Sequence, residues 1–372
     1  MGAAPQVASA PPSPAAATPL AAYLVAGKAN LQLVPYRGAL TPGAFSGYNS
    51  ELTSLTRSAA VFDLGYVAFL RVSGNDRVRW LNGMVTNTVQ ALEKGHFNYS
   101  FLLNAQGRIL GDATIYHSSD HLLLETDCAQ ISKLTAHLDH FIIMDEVELH
   151  ELDAFTTALG IAGPQSGEIL GKLGLPVPEE NTFAHSQVEG AAVTVVHAYS
   201  PVVPQFELWV PVASLPTIWS LLTEAGAVPC GVSSVEALRV LSAIPLYGVD
   251  LQERHLAQET GQTRALNFNK GCYLGQEIVE RIRSRATIHR TLQQFSLSEN
   301  APAIEPGQPA PLNAEGTERN PVGELTSVAH YQLPGFTGTL ALGFVRTEVL
   351  ERKALITYSD GTATALDEPP LI

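Results

Sequence analysis

Cys272 lies in the segment whose residue types are best suited to chemistry. This segment, residues 267–290, reads NFNKGCYLGQEIVERIRSRATIHR, with a lysine two residues before the cysteine and a glycine three residues after it. Ile278, Val279 and Ile282 recur at helical spacing, which predicts a tight glycine loop leading into a helix. Because a nearby ammonium group and a helix N-terminus both favour the thiolate, the pattern predicts a reactive thiol. A buried structural cysteine beside a salt-bridged surface helix is the alternative.

The same segment locally reverses the charge of the chain. Acidic residues outnumber basic ones 36 to 22 in the 372 residues, giving a formal charge of −14. This balance argues against general binding to nucleic acid or to an anionic membrane. Between residues 270 and 290 there are instead five basic side chains and two acidic ones. Glu277 and Arg281 are spaced to pair, and the remaining positive charge could hold an anionic tail or a phosphate.

Other catalytic patterns are missing from the sequence. There is no GxxxxGK[ST] phosphate loop, no GxSxG elbow and no GxGxxG fingerprint. His137 and His140 fall at helical spacing without a third ligand, and the three cysteines form no CxxC pair. We therefore expect no metal site and no disulfide framework, and the cysteine usage fits a reducing, cytoplasmic compartment.

Strand and helix patterns alternate in the elements that must position these residues. Residues 67–73 have a strand composition, and 99–104 and 109–116 flank a Gln-Gly turn as a hairpin. An apolar stripe over 131–141 predicts a helix. This interleaving predicts an α+β fold of antiparallel sheet and helices, and the turn-rich chain after residue 290 predicts a small all-β domain.

The first 27 residues are predicted to be a disordered tail rich in alanine and proline. The first 20 carry no charged side chain and no basic region that would mark a signal peptide. No apolar run reaches the roughly 18 residues that span a bilayer. The sequence thus predicts no membrane attachment.

The stretch K-G-C-Y-x-G-Q-E resembles the signature of folate-binding YgfZ-type proteins, which are relatives of the glycine cleavage T-protein, an aminomethyltransferase. Every fixed position is present: Lys270, Gly271, Cys272, Tyr273, Gly275, Gln276 and Glu277. Further stretches are similar to the family's motifs between residues 45 and 365: VSGND at 72–76, LNG at 81–83, GPQS at 163–166, LR at 238–239 and PLYG at 245–248.

The resemblance implies a three-domain ring around a central channel that holds tetrahydrofolate. Residues 28–66 and 154–290 would form the folate-binding first domain. Residues 67–153 would be an inserted ferredoxin-like domain, and 291–372 a C-terminal β-barrel domain.

The resemblance also implies which residues hold the folate. Glu207 stands in the place of the family's pterin-recognising glutamate, whose carboxylate can accept parallel hydrogen bonds from the 2-amino group and the ring N–H. Tyr99 matches a hairpin tyrosine of the folate site. The alternatives are a solvated strand glutamate and a core tyrosine. The other expected folate-binding residues are Asp112, Arg239, Tyr247 and Gln276, and Cys272 and Lys270 are expected to line or rim the channel as the reactive groups.

One position departs from the T-protein pattern. The T-protein has two consecutive aspartates in this hairpin, and the first is the one assigned to catalysis. The aligned residues here are Gly111 and Asp112. By this alignment the catalytic acid is missing, which favours the YgfZ-type branch over aminomethyl transfer.

The resemblance therefore predicts a cytoplasmic folate-binding protein that supports assembly or repair of iron–sulfur enzymes, including those that modify tRNA. Its expected partners are a reduced folate and iron–sulfur proteins or their assembly factors, with no direct contact to nucleic acid. A folate-dependent aminomethyl- or methyltransferase and a non-catalytic docking scaffold are the alternatives.

Overall fold

The computed structural model describes residues 15–27, 31–152, 156–285, 288–298, 301–302, 304, 308–315, 320–359 and 361–370. The strands of this part of the chain are β1 (Leu33–Tyr36), β2 (Ala39–Pro42), β3 (Ala60–Asp63), β4 (Val67–Ser73), β5 (Phe97–Leu103), β6 (Ile109–His117), β7 (Leu122–Asp127), β8 (Glu148–Glu151), β9 (Thr156–Ala162), β10 (Phe183–Val188), β11 (Ala191–Ala198), β12 (Gln205–Pro211), β13 (Val228–Cys230), β14 (Arg290–Leu297), β15 (Ala310–Ala314), β16 (Gly323–Leu333), β17 (Phe336–Arg346), β18 (Ile356–Tyr358) and β19 (Gly361–Leu366).

The α-helices lie between these strands and are mostly two to three turns long. They are α1 (Pro19–Gly27), α2 (Tyr48–Arg57), α3 (Arg77–Asn82), α4 (Ile131–Asp139), α5 (Ser166–Lys172), α6 (Leu215–Glu224), α7 (Val232–Leu241), α8 (Gln276–Arg285) and α9 (Thr347–Glu351).

Three large sheets organise the chain. One has six strands in the order β10-β11-β12-β9-β3-β13, and another has five in the order β5-β6-β7-β4-β8. The third is a closed barrel in the order β14-β17-β16-β15-β18-β19, and a small sheet pairs β1 with β2. The predicted hairpin is confirmed as the antiparallel pair β5–β6. The predicted all-β C-terminal region is confirmed as the barrel. The domain boundaries stay a prediction.

Side chains of strand β6 alternate between the two faces of the five-stranded sheet, one packed on helix α4 and the other facing a cavity. Gly111, Ala113 and Ile115 are buried on the face that packs against α4, whereas Asp112 and Thr114 point to the opposite face. Side chains of consecutive strand residues point to opposite sides of a sheet. One face therefore closes a core while the other presents polar groups.

The prediction of a disordered tail over residues 1–27 is wrong for its second half. Residues 19–27 form α1, in which Leu20, Ala21 and Leu24 are buried. Leu20 and Leu24 share a hydrophobic cluster with Trp219 of α6. The free energy gained by burying these apolar side chains exceeds the conformational entropy lost when the segment becomes ordered. Residues 1–14 lie outside the described part of the chain.

No helix of the described residues is long and apolar enough to cross a membrane. No cluster of three or more possible metal ligands occurs among those residues either.

Candidate functional site

A cavity of about 540 Å³ lies between the six-stranded and five-stranded sheets. Its walls come from β5, β6 and β7 on one side, from β3 and β12 on the other, and from α7 and the loop after it. Aromatic side chains make up much of its surface: Tyr36, Phe62, Tyr66, Phe97, Tyr99, Tyr116 and Tyr199. An aromatic wall with a few convergent polar groups is typical of a small-molecule site.

Two carboxyl groups meet in this cavity. Glu207 of β12 and Glu125 of β7 both line it, and their carboxyl groups interact directly. Tyr116 donates its hydroxyl to Glu125 at 2.6 Å, and the indole Nε1 of Trp209 donates to Glu207 at 3.1 Å. Burial raises the pKa of both carboxyls, and the charge of Glu207 raises that of Glu125 further, well above its usual range. The raised pKa values favour retention of a proton by one of the two carboxyls.

Asp112 presents a second acid to the same cavity. The Tyr99 hydroxyl donates to its Oδ2 at 2.6 Å, and the Gln130 side chain donates to its Oδ1 at 2.8 Å. Burial raises the pKa of the Asp112 carboxyl. The two fixed donors orient it, so it is placed to hold or release a proton inside the cavity.

The structure corrects the argument from Gly111. A Cβ added at Gly111 would lie 2.6 Å from Gln130 Oε1 and 2.8 Å from Leu134 Cδ2. Residue 111 therefore faces α4 and not the cavity, and the acid that faces the cavity is Asp112. The glycine does not remove an acid from this cavity, so its presence is no evidence against aminomethyl transfer.

Arg239 also lines the cavity, but its donors are already occupied. Its Nη1 lies 2.7 Å from Asp250, and its Nε and Nη2 each lie 2.9 Å from the Glu236 carboxylate. The two carboxylates raise the pKa of the guanidinium despite its burial. Arg239 consequently holds the cavity wall in shape and joins it to Ser327 of the barrel.

Lys270 and Cys272 are not among the residues that line the cavity. The Lys270 ammonium donates to the backbone carbonyls of Asn82, Val85 and Asn87 at 2.6 to 2.7 Å. Burial lowers its pKa to about 7, whereas three carbonyl acceptors favour the charged form. In the structure Lys270 holds the 82–87 loop in place through these three hydrogen bonds. Neither residue therefore lines this cavity, and the prediction that they line or rim a folate channel stays a prediction.

Cys272 itself is exposed and lies four residues before α8. The residues around it hold the backbone: Gln276 accepts a hydrogen bond from the Tyr273 N–H at 3.3 Å, and Gly275 has φ +83°. A Cβ at Gly275 would lie 2.7 Å from Asn104 O, so only glycine permits this approach of the β5–β6 turn. The motif therefore places the Cys272 thiol at the protein surface, outside the cavity, on a backbone held by these contacts.

Tyr247 is likewise outside the cavity lining. Its hydroxyl accepts a hydrogen bond from Lys133 at 3.1 Å and lies 3.4 Å from the Ile109 carbonyl. The structure thus brings four predicted residues together in the cavity, Tyr99, Asp112, Glu207 and Arg239, and leaves Tyr247, Lys270, Cys272 and Gln276 apart from it.

Glu125 and Arg264 are two charged cavity residues that sequence reasoning missed. Glu125 interrupts the apolar strand HLLLET, and a charged residue in such a run could have marked it. Arg264 lies within a short 3₁₀ helix, Thr263–Ala265, and no local pattern singles it out.

Comparisons with known proteins agree with this architecture. Residues 24–270 match the family model of the GCVT N-terminal domain. An aminomethyltransferase of Exiguobacterium sibiricum is 27% identical over 252 residues, which is 67% of this chain and 70% of that protein. A putative chloroplastic transferase of Arabidopsis thaliana is 24% identical over 333 residues, 88% of this chain and 75% of its own.

The crystal structure of the glycine cleavage system aminomethyltransferase T from Bartonella henselae superposes with a TM-score of 0.83. The match covers 95% of this chain and 97% of that one, at 20% sequence identity. The predicted T-protein-like fold, mixed α and β with a C-terminal six-stranded barrel, is therefore confirmed.

Proposed function

The chain belongs to the family of the GCVT N-terminal domain, and from that premise we propose that it binds tetrahydrofolate in the cavity between its two open sheets. The observation that carries this proposal is the Glu207 carboxyl group, enclosed by aromatic side chains and oriented by the Trp209 indole N–H. A carboxylate in such a place accepts the 2-amino and ring N–H donors of a pterin. The aromatic wall suits its flat ring.

Tyr99 and Asp112 are the residues best placed to act on a bound folate. Tetrahydrofolate would supply nitrogens that carry a one-carbon unit. Asp112, oriented by Tyr99 and Gln130, would exchange a proton within the cavity. This arrangement favours a second candidate function, folate-dependent aminomethyl or methyl transfer, because the cavity has its own acid.

We propose support of iron–sulfur cluster assembly or repair as the physiological role, including clusters of tRNA-modifying enzymes. This part rests on the similarity of residues 270–277 to the YgfZ-type signature and on the exposed position of Cys272. The partners would be iron–sulfur proteins or assembly factors of the cytoplasm that reach Cys272 from outside, without entering the folate cavity.

Calorimetry with tetrahydrofolate and a turnover assay with an aminomethylated lipoyl carrier separate these candidates. Micromolar-class binding is the expected result for both candidates, and little methylenetetrahydrofolate formation would select the cluster-support role. Rapid formation of that product would select the transferase instead. A wild-type protein that binds no reduced folate would contradict the proposal and favour the docking scaffold.

The role of Cys272 is tested by Cys272→Ser. Because the thiol is exposed and outside the cavity, the change in unfolding free energy should stay within about 0.5 kcal/mol, and folate affinity should not change. Complementation of cluster-enzyme activities and of tRNA thiolation in a deletion strain should nevertheless fail. Full complementation by the serine variant would remove the thiol from the mechanism.

Alkylation rates of the wild-type cysteines provide an independent measurement. Desolvation raises the pKa of both Cys128 and Cys230, and Cys230 is buried. Labelling near neutral pH, followed by mass spectrometry, should therefore be fastest at Cys272. Tetrahydrofolate should leave that rate unchanged, and protection by the ligand would instead place the thiol in the binding site.

A further inference from the structure

Three arginines line the cavity, and they differ in how their charge is balanced. Arg37 pairs with Asp127 at 3.1 Å, and Arg239 pairs with two carboxylates. Arg264 has no carboxylate within ion-pair distance in the described part of the chain. Its Nε donates to the amide oxygen of Gln262 at 3.3 Å, and its two terminal nitrogens meet no acceptor among the described residues.

The rings of Tyr99 and Tyr199 lie against the guanidinium of Arg264. Its central carbon lies 4.1 Å from one ring centroid and 4.2 Å from the other. The group is therefore in close contact with two aromatic rings. A ligand group that pairs with the guanidinium edge must lie in the guanidinium plane, and a carboxylate does so with two parallel hydrogen bonds.

The environment of Arg264 compensates its charge only in part, through the more distant Asp112. Burial lowers the pKa of this guanidinium, whereas carboxylates raise the pKa values of Arg37 and Arg239. Removing a charge from water without a counter-charge is unfavourable. An anionic ligand group would restore the balance, because the Tyr99 and Tyr199 rings contribute only a weak cation–π attraction.

We propose that Arg264 is the carboxylate-binding residue of this cavity. It would bind either the glutamate tail of a folate or the carboxylate of a second, smaller acid such as an amino acid. The inference rests on the proposed function only for the identity of the first ligand.

The test measures the affinity of Arg264→Gln for three probes by calorimetry. Tetrahydrofolate carries the glutamate tail, 6-methyltetrahydropterin carries the same ring without any carboxylate, and glycine is the smallest α-amino acid. The variant should lose roughly ten- to hundredfold in affinity for a carboxylate ligand and none for 6-methyltetrahydropterin. Arg264→Lys keeps the positive charge but loses the two parallel N–H donors of the guanidinium. It should therefore lose less affinity than Arg264→Gln for the carboxylate ligand.

Arg283→Gln is the matched control. Arg283 also stacks on an aromatic ring, that of Phe268 at 4.6 Å, but it lies outside the cavity. This variant should bind all three probes like the wild type. If it loses tetrahydrofolate affinity while Arg264→Gln does not, the tail binds to the basic segment and the inference is overturned.

The remaining outcomes identify the ligand or reject the claim. If the Arg264 variants lose affinity for tetrahydrofolate alone, Arg264 binds the glutamate tail of the folate. If they lose affinity for glycine alone, Arg264 binds the carboxylate of a second, smaller acid. The inference would be overturned if the folded Arg264 variants bound tetrahydrofolate and glycine as tightly as the wild type does. It would also be overturned if the wild type bound neither of these two probes. If only the two pterin compounds fail to bind the wild type, the folate proposal falls and glycine alone decides the inference.

Discussion

At the residue scale, the Glu125–Glu207 pair dominates the chemistry of the cavity. Glu125 accepts a hydrogen bond from Tyr116 and Glu207 accepts one from Trp209, and burial raises the pKa of both carboxyls. With one carboxyl protonated, the pair offers one acceptor group and one donor group side by side. Such a pair recognises a ligand edge that offers both donors and an acceptor, as the edge of a pterin does.

This pair makes the stability of the ligand-free protein depend on pH. The pKa of Glu125 is raised well above 4.5 in the folded chain, so the folded state keeps a proton that the unfolded state releases. Stability is then greatest below that ordinary value and is lost as the pH rises through the interval up to the raised pKa. One such group contributes up to about 1.4 kcal/mol per pH unit within that interval.

Glu125→Gln removes the titrating group but keeps a side-chain donor towards Glu207. The unfolding free energy of the variant should therefore decline less steeply than that of the wild type as the pH rises above the ordinary glutamate pKa. Urea unfolding at several pH values measures both slopes. Identical slopes would mean that Glu125 is ionised in the folded protein.

At the element scale, the β5–β6 hairpin connects the two parts of the site. One face of β6 presents Asp112 to the cavity, and the turn after β5 packs on Gly275 of the cysteine motif. The hairpin was predictable because its strands alternate and a Gln-Gly turn joins them. The direction of each side chain was not, because a bulge at Leu102 and Leu103 shifts the pairing register.

The same limit applies to the remainder of the site. Glu207 and Tyr99 could be assigned from a motif resemblance, and the cavity contains both. Lys270 and Cys272 could not be placed, because a local motif gives no information about which neighbouring element its side chains reach. Glu125 and Arg264 acquire a role only through long-range packing, which strand and loop composition does not encode.

Gly111→Ala tests the orientation of β6. The added methyl would crowd Gln130 and Leu134, so the unfolding free energy should fall by about 1–3 kcal/mol. Gly171→Ala is the matched control, since a Cβ there contacts nothing within 4 Å inside helix α5, and it should stabilise the protein by up to about 1 kcal/mol.

Gly111→Asp extends this test to activity. Because residue 111 points at α4, the new carboxylate should lower stability and give no gain in aminomethyl transfer. A gain in turnover would show that position 111 faces the folate after all.

At the scale of the whole molecule, Asp250 joins the barrel to the folate-binding part. It is fully buried, accepts a hydrogen bond from Arg239 at 2.7 Å and another from Ser327 of β16 at 2.7 Å. The Leu246 N–H also donates to it, at 2.9 Å. One carboxylate thus ties α7, the loop that closes the cavity, and the barrel together.

Asp250→Asn should lower the unfolding free energy markedly, towards the lower end of the about 3–5 kcal/mol that follows loss of one partner of a buried ion pair. The loss is moderated because Glu236 still pairs with Arg239. Asp120→Asn, which breaks the exposed pair with Arg71, should cost at most about 1 kcal/mol. Urea unfolding compares the two, and equal effects would contradict a linking role for Asp250.

The measurement that tests the central claim most directly is the tetrahydrofolate affinity of Glu207→Gln. The amide replaces one acceptor oxygen with a donor that faces the pterin donors, and it removes the charge. Hydrogen bonds to charged groups are worth about 1.5–3 kcal/mol, so calorimetry should record a roughly ten- to hundredfold loss with the fold intact. Unchanged affinity in a variant with an unchanged melting curve would mean that Glu207 does not contact the ligand, and the account of this cavity as a folate site would be wrong.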